Sequence, residues 1–202
     1  GMGFLGLSFV IYYLLYTIFF KSLQDGIFKM VSIRNSKGMN GNFKRIVKPA
    51  LLYVLVAGSF ITGITYLLLR VFAVKLLGLF YPVPLILILC IVLILNGITD
   101  IFCGYHLGNG TKAVAVIIHI LKMILPVVLS LLVIPGFSDY GQKISNLLKN
   151  EVIKYAYMAM GVATVYATTG LIICFVIIII TLYIRKYSRV EKTINGIDTR
   201  RT

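Results

Sequence analysis

Lys21, Asp25 and Lys29 recur every four residues in an otherwise apolar stretch, and Gln24 stands beside them. At about 100° per residue the three fall within roughly 80° of one another, so they form one stripe of a helix. Ionisable groups inside an apolar span are costly and are kept where they face a bundle interior or a water-filled path. The chemistry open to this stripe is electrostatic: lysines hold phosphate or another anion as point charges, and a carboxylate holds a cation. A plainer alternative has Lys29 reaching to the membrane interface while Lys21 and Asp25 pair only to fix packing.

Asn96 and Asp100 repeat the spacing of four further along the chain, and His119 and Lys122, three apart, share a helix face. Lys122 lies well inside its apolar run, so a pairing with Asp25 or Asp100, or a place in a polar cavity, is expected for it. Lys21, Gln24, Asp25, Asn96, Asp100, His119 and Lys122 are therefore the candidate substrate-binding residues. His106, next to a glycine turn, reads as interfacial. The chain shows no nucleophile triad, metal-ligand cluster or phosphate-cradling ATPase loop. It is not expected to be an enzyme or to use a cofactor or metal. The three cysteines, Cys90, Cys103 and Cys174, sit in or beside apolar runs and read as small hydrophobes.

The elements that must position these groups follow from composition. Of 202 residues, 59% are hydrophobic and only 13% charged, against about 45–50% and about 25% in soluble domains. Mean hydropathy is +0.97. The formal charge of +14 sits mostly at the ends of apolar runs, as the topology rule for membrane proteins requires and as nucleic-acid binding does not. Five segments are expected to span a bilayer as helices: residues 4–33, 43–77, 85–107, 112–134 and 152–186. A polar connection is expected at 135–150, and residues 187–202 form a basic tail. The fold class is all-α, a polytopic membrane helix bundle.

Charge placement orients the bundle. Arg34, Lys37, Lys44, Arg45 and Lys48 follow the first span, and Arg185, Lys186, Arg189, Lys192, Arg200 and Arg201 end the chain. Alternation then puts the 34–48 loop, the Gly108 turn and the tail in the cytoplasm, with residue 1 outside. An external start at Gly1 with no signal peptide predicts one further helix upstream, six in all.

The order of segments resembles a known family. Gly1-Met2-Gly3-Phe4-Leu5-Gly6-Leu7 is similar to the glycine-rich turn after the first helix of the oligosaccharide flippases. Leu23 to Arg34 with Lys37-Gly38 resembles the end of their second helix, Asp100 to Lys112 their Gly-Tyr and Gly-x-Gly helix exit, and Ala156 to Lys186 their sixth helix. The family is the multidrug/oligosaccharidyl-lipid/polysaccharide exporter superfamily, in its polysaccharide biosynthesis and lipid II flippase-like branches. The resemblance implies helices two to six of a MATE-like N-terminal lobe, with a C-terminal lobe beyond Thr202, alternating access around a central cavity, and a cell-membrane location. Two departures stand out: Cys103 replaces an arginine before Gly104-Tyr105, and the following helix has His119 and Lys122 where the family often has an acid.

More cationic than anionic cavity candidates favour an anionic, pyrophosphate-linked partner in the bilayer. The expected function is thus flipping of a lipid-linked oligosaccharide or polysaccharide precursor, with no nucleic-acid partner. A cation-coupled multidrug exporter, or a small non-transporting membrane subunit, are the alternatives.

Overall fold

The computed structural model describes residues 2–37, 43–75 and 82–198. Among them run six helices and no strand: α1 (Met2–Phe19), α2 (Leu23–Ser36), α3 (Phe43–Lys75), α4 (Pro82–Gly108), α5 (Lys112–Leu148) and α6 (Glu151–Asp198). Four stretches are long and apolar enough to cross a membrane: Arg45–Leu67, Pro84–Gly108, Lys112–Leu148 and Glu151–Ile184.

The expected first span, 4–33, is two helices instead of one. The backbone ladder changes at their junction: the Lys21 amide bonds back five residues to the Tyr16 carbonyl, and the Leu23 amide only three, to Phe20. A wide turn followed by a tight one ends α1. The sequence supplies a reason there, because apolar residues give way at Lys21-Ser22 to the polar run Gln24-Asp25. The Tyr53 hydroxyl of α3 donates a long, 3.5 Å hydrogen bond to the Phe19 carbonyl at this break.

α4 is the axis of the bundle. It packs against α1, α2, α3, α5 and α6, and 67% of its most apolar window is buried, against 11% for α5. Lipid tails give helices no hydrophobic reason to associate, so close backbone approach at small residues has to do more of the holding. Gly104 and Gly108, one helical turn apart, provide it toward α2. A Cβ at Gly104 would lie 2.5 Å from the Gln24 carbonyl oxygen, and one at Gly108 would lie 2.6 Å from the Val31 Cβ. Ile27 and Val31 form the face that α2 buries there, inside a core shared with Phe20, Val54, Ile101 and Ile118.

α5 does not stop at residue 134. It runs through Pro126 and Pro135 to Leu148, so the expected connection at 135–150 is mostly helix. Packing on α6 accounts for this, because tertiary contact outweighs local propensity in helix formation. Gly141 rests on the Tyr157 side chain and the Lys154 backbone, and Gly161 on Phe137. At 37 and 48 residues, α5 and α6 are about 55 and 70 Å long, well beyond a hydrocarbon core of about 30 Å. The hairpin turns at Lys149, which adopts a left-handed conformation with φ 49°. There the Asn150 side-chain oxygen accepts the Val152 amide and caps α6.

Candidate functional site

Three helices converge on one carboxylate. Asp100 lies on α4 eight residues before its end, about 12 Å in along the axis. Its Oδ1 accepts a hydrogen bond and ion pair from Lys122 Nζ of α5 at 3.0 Å. Its Oδ2 accepts one from the Tyr16 hydroxyl of α1 at 2.7 Å. One turn earlier on α4, Asn96 Nδ2 donates to the Tyr12 hydroxyl at 2.7 Å. Tyr12 and Tyr16 stack on each other with ring centroids 6.2 Å apart. The result is a polar ladder of two rungs, i and i+4 on α4 matched by i and i+4 on α1.

Helix periodicity builds that match. Residues four apart stand above one another on a face, so Tyr12 and Tyr16 meet Asn96 and Asp100 in register. Burial then dictates the bonding, since a charge withdrawn from water is tolerated only when paired and hydrogen-bonded. The Asp100 side chain is 4% exposed and that of Lys122 is 23% exposed. The carboxylate is thus sealed, while its lysine remains within reach of the surface. This is the only ion pair among the described residues, and none of their buried side-chain nitrogens or oxygens lacks a partner.

Of the residues singled out from sequence, the structure brings together Asn96, Asp100 and Lys122. Lys21 sits in the break between α1 and α2, and it is exposed together with Asp25 and Lys29. The stripe lies on the outside of the bundle, away from the face of α2 that carries Ile27 and Val31. Gln24 is half-buried, and its carbonyl, not its side chain, abuts α4. His119 is exposed on α5. Tyr12 and Tyr16 are the functional candidates that sequence reasoning passed over. Their spacing of four, equal to that of Asn96 and Asp100, was the available signal.

A second polar knot ties the end of α4 and the start of α5 to the middle of α6. His106, 1% exposed, places Nδ1 3.0 Å from the Thr111 hydroxyl and Nε2 2.9 Å from the Thr181 hydroxyl. Thr181 itself donates to the Ile177 carbonyl at 2.7 Å. His106 therefore joins α4, the entry to α5, and α6 from a buried position. The three cysteines are free and buried. Among the described residues no three His, Cys, Asp or Glu side chains are placed to hold a metal.

The length and apolarity of four helices give this chain the build of a multi-pass membrane protein, with an ion pair set between two of them. No family model, curated protein or solved structure matches it.

Proposed function

We propose that this chain is part of a transporter that moves a lipid-linked, phosphate-bearing glycan across the cell membrane by alternating access. In this reading α1, with 18 residues and no charged side chain, is a fifth span of about 27 Å. The five spans then correspond to helices two to six of a MATE-like lobe, with the 34–48 loop in the cytoplasm. The sequence resemblance described above points the same way.

The carrying observation is the position of Lys122: a cation deep in an apolar helix, partly exposed, and neutralised by a buried carboxylate. Such a lysine has no purely local reason to be there, since pairs of this kind are weak evidence for stability. It can exchange partners. A substrate phosphate arriving at the exposed side competes with Asp100 for the Lys122 ammonium, and the freed carboxylate keeps the Tyr16 hydroxyl. Binding is thereby coupled to the contact between α4 and α5. Lys21, exposed at the α1–α2 break, and Lys29, exposed on α2, supply further positive charge along the same chain.

The decisive experiment uses the full-length gene product in cells. Lys122→Ala is expected to leave lipid-linked glycan stranded in the cytoplasmic leaflet when transport is normalised to the amount of folded protein in the membrane, and Lys122→Arg to retain part of the activity. Normal flipping in both Lys21→Ala and Lys122→Ala would overturn the assignment. A second reading, cation-coupled export of a cationic drug, is favoured by the burial of Asp100, a carboxylate that can hold another cation when Lys122 departs. It requires that Asp100→Asn abolish dye efflux while Lys122→Ala spares it.

A further inference from the structure

The break between α1 and α2 leaves an open crevice between α2 and α3, with a volume of about 380 Å³. Its walls are two facing stripes of period four. Gly26 and Met30 lie on the α2 side, Pro49 and Ala50 on the α3 side, Tyr53 at one end and Arg45 at the other. The slot exists because the facing residues are small. A Cβ built on Gly26 would meet nothing within 4 Å, in contrast to one at Gly104, where α4 meets α2 in a tight contact.

The two ends differ in chemistry. Arg45 opens the Arg45–Leu67 span, next to the basic 34–48 segment. Arg34 is four residues beyond Met30, so it continues the α2 stripe toward that same end. From Arg45 to Tyr53 the crevice runs eight residues down α3, about 12 Å, between walls that are mostly apolar, with Ser22 the polar side chain on the α2 side. What fits is an amphiphile with an anionic head and a hydrocarbon tail. A guanidinium matches phosphate oxygens two at a time, and basic pockets between helices at the cytoplasmic side recognise anionic lipid headgroups.

We propose that the α2–α3 crevice is a binding site for an anionic glycerophospholipid of the surrounding bilayer, with its phosphate on Arg45 and one acyl chain along Gly26, Ala50 and Tyr53. Zwitterionic lipids carry their own cation and fit the two arginines less well. The site requires only that the protein reside in a membrane. It shares no residue with the Asp100–Lys122 ladder, so loss of transport in Lys122→Ala leaves it untouched.

The chain contains no tryptophan, which makes the test direct. A Tyr53→Trp variant of the full chain is reconstituted into phosphatidylcholine vesicles containing a minor fraction of either phosphatidylglycerol or phosphatidylcholine brominated on the acyl chain. Quenching of the indole is expected to be stronger with brominated phosphatidylglycerol, corresponding to about five-fold local enrichment for one well-placed cation. Adding Arg45→Gln should bring the two lipids level. Adding Gly26→Leu, which fills the slot and leaves every cation in place, should do the same with helicity unchanged by circular dichroism. Equal quenching by both lipids in the starting variant would overturn the site. A preference that survives Gly26→Leu would overturn it too, because it would then belong to the basic surface at large.

Discussion

Asp100 Oδ1 lies 3.0 Å from Lys122 Nζ, while the other oxygen of the same carboxylate is held by the Tyr16 hydroxyl at 2.7 Å. One side chain on the central helix therefore fastens two others, α5 by an ion pair and α1 by a neutral donor. Neither helix can draw away from α4 at this depth without giving up its oxygen.

Removing one partner of this pair should cost more than removing both. Lys122→Met leaves a carboxylate that is 4% exposed with Tyr16 alone, and is expected to cost about 2–4 kcal/mol. That lies below the usual range for a fully buried pair because the lysine is partly exposed. The double variant Asp100→Asn with Lys122→Met should recover much of that loss. Thermal unfolding in detergent, run as a double-mutant cycle, measures the coupling; strictly additive losses would show that the pair is not coupled.

Small residues should divide into two groups by what faces them. Gly104→Ala drives a methyl group against the Gln24 carbonyl at 2.5 Å, and backbone cannot swing aside as a flexible side chain can. It should destabilise by about 1–3 kcal/mol. Gly63→Ala on α3 meets nothing within 4 Å and should stabilise by about 0.5–1 kcal/mol through helix propensity. Melting temperatures of the two variants moving in the same direction would contradict the helix packing described.

The His106 knot makes a sharper demand. Thr181→Val keeps the shape but strips the partner from Nε2 of a ring that is 1% exposed, at an expected cost of about 1–3 kcal/mol. Thr168→Val, whose hydroxyl merely bonds back to its own helix on an exposed face, should be close to neutral. Equal melting temperatures for the two would show that the His106 contact carries no stability.

Labelling tests the orientation. The natural cysteines are buried, so they should stay silent toward a membrane-impermeant maleimide in the folded protein. Gln142→Cys, exposed near the end of the third of the four apolar stretches, should label on intact cells, and Lys37→Cys only after permeabilisation. Labelling of both from one side would rule out three crossings between them.

Much of the fold was legible in the chain because apolar length and charge placement are strong, local signals. The helical class and the positions of α3, α4 and the apolar parts of α5 and α6 follow from them. The break at residues 20–22 was harder to see, because its cause is divided between a change in polarity and the support Tyr53 brings from another helix. The helical course of 135–148 was hidden for a similar reason: Pro135, Gly136 and Gly141 argue locally for a turn, and only the matching surface of α6 overrules them. At the site, the periodicity of four found Asn96 and Asp100, and depth found Lys122. Which face a stripe presents cannot be read from spacing alone, however. Asp25 and Lys29 share a face of α2, with Lys21 in the break before it, but Ile27, Val31 and the carbonyl of Gln24 fix the opposite side against α4. Tyrosines in apolar helices are common enough that Tyr12 and Tyr16 carried no alarm until their partners were known.

The hairpin of α5 and α6 outruns any bilayer, and this has a consequence for how the protein comes apart. Near the turn, Gly141, Ser145, Ile153 and Ala156 are buried beneath exposed Asp139, Gln142, Lys143 and Glu151, a polar surface interrupted by exposed Tyr140, Leu147 and Leu148. Where this part of the pair meets water, the hydrophobic effect holds it. Lower down the same helices, exposed Leu131, Leu132, Phe175 and Leu182 suit hydrocarbon, and the helices cohere through packing and polar links. One continuous pair of helices thus stands in two solvents. Urea should unzip it from Lys149 downward, and a harsh detergent from the Lys122 level upward, so the order in which the two halves melt depends on which denaturant is chosen.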